Sequence, residues 1–160
     1  MTTSTGDYTA TLPRKRMGSG VLFRDAAHRI LLVDPVYKDD WELPGGAVDG
    51  DESPYDAARR EVEEELGLAM SPGRLLVVDW VPPRPGRTEG VMFVYDGGVL
   101  GTETTANFQL PADELHGWAW CTLAEAQRRL SPLLARRAAA ALQAAADTVT
   151  YYLEEGRRIC

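Results

Sequence analysis

Short apolar runs, separated by glycine, proline and acidic turns, mark most of the chain. "GSGVLF" (18–23) and "RILLVD" (29–34), joined by the turn-like "RDAAH", predict a β-hairpin. "RLLVVDWV" (74–81) and "GVMFVYDGG" (90–98) predict two further strands on either side of the breaker-rich "PPRPGRTE". "HGWAWCT" (116–122) reads as a strand and "LAEAQRRL" (123–130) as a short helix. The alanine-rich stretch 131–156 reads as a helix with Ser131 at the N-cap and Pro132 in the first helical position. The polar residues 1–16, ending in "PRKR", are expected to form a loose arm before a single domain over 17–160.

The segment with the most chemistry starts in the Gly- and acid-rich loop "DWELPGGAVDGDES" (40–53) and continues into "PYDAARREVEEELGL" (54–68). Ser53 before Pro54 is a helix start, and Asp56, three residues on, makes an aspartate variant of the capping box. Gly67 suits the left-handed position past the last turn, so a helix is predicted over 54–66. At about 100° per residue, Tyr55, Ala58, Val62 and Leu66 form one core-facing stripe. Glu61, Glu64 and Glu65 share the flank beside it, with the small Ala57 one turn earlier, and Glu63 points to solvent. Carboxylates at i, i+3 and i+4 repel one another, and the C-terminal half of a helix disfavours negative charge. Each clash costs a few tenths of a kcal/mol, up to about 1. A hard divalent cation removes that penalty, since Mg²⁺ accepts a few carboxylate oxygens and keeps waters for substrate phosphates.

Composition narrows the chemistry. The chain has 160 residues, ordinary apolar and charged content for a globular domain, and a formal charge of −7. That charge argues against non-specific nucleic-acid binding and would repel a polyphosphate unless bound cations reversed the local field. No stretch approaches a membrane span, and no apolar core precedes the early basic run, so a cytoplasmic location without membrane partners is expected. Cys121 and Cys160 lack metal or redox spacing; Cys121 is expected to be buried and unpaired, with Cys160 on a loose C-terminus. Two other loop motifs fail. Gly45 and Gly50 have the outer spacing of a phosphate-binding P-loop, but Asp51 stands where its lysine belongs. Asp49, Asp51 and Ser53 begin like an EF-hand loop, but Pro54 occupies its glycine position.

Gly46, five residues, Glu52, seven residues, then Arg60-Glu61-Val62-Glu63-Glu64-Glu65-Leu66-Gly67-Leu68 resembles the Nudix box, Gly-x5-Glu-x7-Arg-Glu-U-x-Glu-Glu-x-Gly-U with U aliphatic, at every defined position. The resemblance implies an α/β/α sandwich with a mixed β-sheet and hydrolysis of a nucleoside diphosphate linked to another moiety. It implies Mg²⁺ or Mn²⁺ held by the Gly45 carbonyl, Glu61, Glu64 and Glu65. Glu52 and Arg60 are expected to brace the loop and helix through a buried ion pair. Glu61 or Glu64 is the candidate base for the attacking water; family members differ in this, and Glu103 and Glu114 stand in a suitable downstream region.

The expected partner is a nucleoside diphosphate derivative of the ADP-ribose or nucleotide-sugar type. A nucleoside-triphosphate pyrophosphohydrolase and a non-catalytic ligand sensor are the alternatives, and a homodimer is left open. Pro83 lies 15 residues after Leu68, a spacing resembling ADP-ribose-hydrolysing members. With Arg84 for a phosphate and Trp41 for a base, it completes the candidate substrate contacts. Arg87, Trp80 and Tyr95 are weaker candidates, since loop arginines are usually solvated and aromatics beside strands usually belong to the core.

Overall fold

The computed structural model describes residues 5–159. Within the expected N-terminal arm, Thr5–Ala10 forms a short helix, α1. The strands are β1 (Arg16–Arg24), β2 (Ile30–Pro35), β3 (Gly45–Ala47), β4 (Leu75–Val81), β5 (Gly90–Val99), β6 (Leu115–Cys121), β7 (Tyr151–Glu154) and β8 (Arg157–Arg158). The remaining helices are α2 (Pro54–Leu66), α3 (Thr102–Ala106), α4 (Leu123–Arg129) and α5 (Pro132–Asp147). The eight strands make one sheet in the order β6-β2-β1-β5-β4-β7-β8, with β3 pairing β1 beside this path. β1 runs parallel to β5 and β4 parallel to β7, while the other pairs are antiparallel, so the sheet is mixed as expected.

The apolar runs are continuous because both faces of the sheet are covered. Along β1, Leu22 enters the core under α4 and α5, whereas Val21 and Phe23 enter the core under α2. β2 alternates in the same way, with Ile30 and Leu32 on one side and Leu31 and Val33 on the other. The result is the α/β/α sandwich, each core about one side chain deep on its face of the sheet.

Two expectations change. The predicted hairpin of β1 and β2 meets only at its closed end, Arg24 opposite Ile30, because β3 pairs with β1 from Gly18 to Gly20 and β6 takes the length of β2. The helix expected over 131–156 stops at Asp147, where Thr148 adopts φ 58° and Tyr151–Glu154 becomes β7. "TVTYYL" is rich in β-branched and aromatic residues, and its alternation buries Tyr151 and Leu153 while Tyr152 faces out. The start of α5 is as predicted, with Leu134 N–H donating to Ser131 Oγ at 3.3 Å. Cys121 is buried and free; the expectation for Cys160 lies outside the described residues.

One ion pair crosses from α5 to the sheet. Arg137 Nε donates to Asp79 Oδ2 at 2.7 Å, and Gly156 N–H donates to Asp79 Oδ1 at 3.0 Å. Asp79 is completely buried, so losing its partner strands a charge. Arg137→Ala is expected to cost about 3–5 kcal/mol in urea denaturation, whereas Arg137→Leu with Asp79→Leu costs far less. Equal losses for the two variants would show that pairing is not what the site needs.

Candidate metal and substrate site

α2 begins and ends where its sequence specifies, although the expected capping box is not closed, since the Asp56 carboxylate accepts from the Ser53 hydroxyl rather than from the Ser53 N–H. Ser53 Oγ accepts from Asp56 N–H at 3.0 Å, Pro54 opens the helix, and Gly67 closes it at φ 66°. Ala58, Val62 and Leu66 are fully buried against the sheet, which fixes the rotation of the helix and hence the placement of its acids. Glu65 is buried, Glu61 is half-buried with 16% of its side chain exposed, and Glu64 lies outermost at 54%. Glu63 is exposed, as its position on the wheel predicts.

β3 lies directly against this flank. Gly45 N–H donates to Glu65 Oε2 at 2.9 Å, tying the end of α2 to the loop. A Cβ on Gly46 would come within 2.5 Å of the Glu61 carboxyl carbon, so a side chain there would push that carboxylate out of its place. A Cβ on Gly45 would lie 2.3 Å from the Ser19 carbonyl oxygen, so the pair also permits β3 to approach β1. The short strand was not predicted; "PGG" shows in the sequence as a turn, and only pairing with β1 makes it extended.

Arg60 joins the parts. Its Nε and Nη2 donate to the two oxygens of Glu52 at 2.8 and 2.9 Å, and Nη2 also reaches the Ala47 carbonyl at 3.0 Å. Nη1 donates to Glu61 Oε1 at 2.9 Å and to Glu64 Oε2 at 3.2 Å. The expected brace is therefore present but only part-buried, with side-chain exposures of 29% for Arg60 and 17% for Glu52. Among the described residues no three His, Cys, Asp or Glu side chains are gathered tightly enough to enclose an ion; Glu61 and Glu64 accept from Arg60 instead.

The electrostatics nonetheless suit a divalent cation. Burial first, and then the charges of Glu61, Glu42 and Glu114, push the Glu65 carboxyl up to about 8 against the opposing Gly45 hydrogen bond. Glu61 is also raised, first by burial, with Arg60 opposing. A half-buried pair of carboxyls with unfavourable charge, beside a glycine cradle without room for a side chain, fits Mg²⁺ or Mn²⁺ in the donor types such ions prefer. Of the two downstream candidates, Glu114 contributes to the field at both acids, while Glu103 sits exposed in the first turn of α3. Glu42 was missed by the sequence reading, having no spacing relation to the helix. Its carboxylate accepts from Tyr37 Oη at 3.0 Å and pairs with Lys38.

A cleft of about 1050 Å³ opens beside β3, lined in part by Gly45, Gly46, Glu42, Pro83, Arg84 and Arg137. Pro83 and Arg84 are thus brought to the same cavity as the loop. Trp41 is not among its lining residues; it packs against the α5-side core, with the Arg129 guanidinium 4.4 Å from its ring centroid. Trp80 donates from Nε1 to Glu89 at 2.9 Å, and Tyr95 makes an edge contact with Tyr55 at 5.5 Å, so both serve local packing.

The NUDIX domain matches residues 14–144. The chain belongs to the Nudix family. It is similar to diphosphoinositol polyphosphate phosphohydrolase 2 from Rattus norvegicus, 40% identical over 76 residues that make up 46% of this chain and 42% of that protein. The chain spans less than half the length of the curated relatives it matches first. A MutT NUDIX hydrolase from Burkholderia pseudomallei shares the fold with TM-score 0.65 and 27% identity, covering 82% of this chain and 98% of the other. An ADP-ribose pyrophosphatase from Streptococcus suis 89-1591 shares it with TM-score 0.63 and 23% identity, covering 88% and 99%.

Two outcomes follow from the charges. Arg60 holds the Glu52 carboxyl down at about 2, so this pairing stabilises the fold above pH ~4.5 and is lost as pH falls through ~2. Arg60→Ala is expected to lower the thermal midpoint at pH 7, with the gap to wild type closing towards pH 2; a constant gap would mean that Arg60 acts by packing alone. Glu65 has the opposite sign. Its raised value means that the folded state retains a proton that the unfolded state loses, so stability falls as pH rises from ~4.5 to 8. In metal-free buffer Glu65→Gln is expected to flatten that fall in melting midpoint, and an unchanged slope would remove Glu65 as its source.

Proposed function

We propose that this chain is a metal-dependent pyrophosphohydrolase that cleaves the anhydride of a nucleoside diphosphate linked to another moiety, of the ADP-ribose or nucleotide-sugar type. The observation that carries this reading is the contact of the acidic flank of α2 with the glycine cradle of β3 at the edge of a large cleft. The name of the rat relative, a phosphohydrolase of a diphospho compound, supports hydrolysis of a phosphoric anhydride.

Glu61, Glu64 and Glu65, with the Gly45 carbonyl, would hold Mg²⁺ or Mn²⁺, which when bound supplies Lewis-acid polarisation of a phosphoryl oxygen. Glu65 enters that role from a neutral state at pH 7, because burial keeps its proton. Cation binding therefore releases a proton from Glu65. Glu61, less buried and partly compensated by Arg60, is the better placed of the two candidates to accept the proton of an attacking water; Glu64 faces solvent. Arg60 links the Glu61 and Glu64 carboxylates through one nitrogen, Nη1. Pro83 and Arg84 line the same cleft, where the substrate's non-reacting portion would lie.

A panel of ADP-ribose, nucleotide sugars and nucleoside triphosphates with Mg²⁺, scored by products, tests the assignment. Release of two monophosphate products from the diphosphate-linked compounds is expected, and cleavage of triphosphates alone would replace it with the other hydrolase class. Glu64→Gln and Glu65→Gln are each expected to lower turnover by at least about a hundredfold in folded protein. Turnover within about threefold of wild type for both would remove the metal assignment.

A further inference from the structure

We propose that Arg16, Arg84 and Arg87 form a second anion subsite in the cleft, which receives a phosphate monoester carried by the substrate in addition to the anhydride that is cleaved. The proposal rests on the hydrolase reading for its substrate but on its own geometry for the subsite.

Arg84-Pro85-Gly86-Arg87 is a tight turn. Arg84 and Arg87 exchange both backbone hydrogen bonds, at 2.9 and 2.8 Å, and Gly86 takes φ 76°. Proline in the second position and a positive-φ glycine in the third are the requirements of a type II turn. Residues paired in this way send their side chains to the same face, and like charges directly opposite each other destabilise the pair. The turn thus starts two exposed, like-charged side chains from one face.

A third joins them. Arg16 donates from Nε and Nη2 to the Thr88 carbonyl at 3.0 and 2.8 Å, which anchors its fork beside the turn. Burial lowers the pKa of Arg16 first, and the charges of Arg87 and Arg84 lower it further, so the three groups share one field. No described acidic side chain forms an ion pair with any of the three. Glu89, the acid nearest in sequence, is taken by Lys15 and by Trp80 Nε1.

This arrangement occurs in a chain with 24 acidic and 17 basic residues, where partners for stray arginines are in excess. The cleft reverses that balance. Arg16, Lys38, Arg84, Arg87, Arg136 and Arg137 line it, against Asp40, Glu42 and Glu155. The guanidinium groups of Arg84 and Arg87, with the donors of Arg16 that Thr88 leaves free, line one cleft and match the oxygens and double charge of a phosphate monoester better than a single-charged diester or a neutral sugar. The acidic flank of α2, by contrast, accepts phosphate only through a cation. The molecule therefore has two ways of holding phosphate, a metal-dependent one at the acids behind β3 and a metal-independent one in the cleft that Gly45 and Gly46 border.

Two matched pairs of compounds differ by one phosphate monoester: NADPH with NADH, and coenzyme A with dephospho-coenzyme A. Wild type is expected to favour the phosphorylated member in kcat/KM by about tenfold or more, and Arg84→Ala with Arg87→Ala to remove most of that preference through KM. A preference that survives in the variant, or its absence in wild type, overturns the proposal. Calorimetric titration of inorganic triphosphate in excess EDTA gives a readout independent of turnover. Binding that is at least about tenfold weaker in the variant supports the subsite, and equal affinity overturns it. Arginine-dependent binding of triphosphate without hydrolysis of any of the four compounds, of ADP-ribose or of a nucleotide sugar would leave the subsite standing and set aside the hydrolase reading.

Discussion

The whole site depends on holding several carboxyl groups beside a buried helix flank, an arrangement that desolvation and mutual repulsion both oppose. Two devices make it tolerable. Arg60 spreads one positive charge over Glu52, Glu61 and Glu64, and the Gly45 amide supplies a single donor to Glu65. Neither fully satisfies Glu65, whose proton is retained towards neutral pH. The core contacts of Ala58, Val62 and Leu66 oppose this strain, because they set the rotation of α2 before its acids can turn to solvent.

The same constraint explains the glycines. An acid brought this close to a loop limits what the loop can carry: a Cβ on Gly46 would displace the Glu61 carboxylate, and one on Gly45 would meet the backbone of β1. β3 is short for a related reason: it pairs with β1 only at Gly18 to Gly20, where small residues let the strands and the cleft floor come together. Packing and chemistry are therefore joined through close backbone approach as well as through charged side chains.

Charge is distributed unevenly over the molecule. The surplus of acids that gives the net −7 coexists with a cleft whose lining side chains are predominantly cationic. An anionic ligand is repelled by the average surface yet attracted locally, a combination that favours specific over diffuse binding. Arg137 belongs to this picture as well as to the core, since Asp79 holds its Nε while the side chain borders the cavity.

The sequence alone was enough to determine the extent of α2, the flank on which its acids lie, the runs of β1, β2, β4, β5 and β6 and the Nudix box, because each is set by residues within a few positions of one another. Ser53, Pro54 and Gly67 act through local backbone geometry, and helical periodicity places Glu61, Glu64 and Glu65 without reference to the rest of the chain. Strand partners, the unequal burial of the three acids and the membership of the cleft were decided only by tertiary structure. β1 prefers β5 and β3 over most of its expected hairpin partner, Trp41 is drawn under Arg129, and Glu42 comes into the field of Glu65. The end of α5 shows the boundary between the two: alanines promote helix through Asp147, but Tyr151 and Leu153 gain more from pairing with β4 and burial than another turn could return. Contacts of that kind join residues far apart in the chain, so no local pattern announces them.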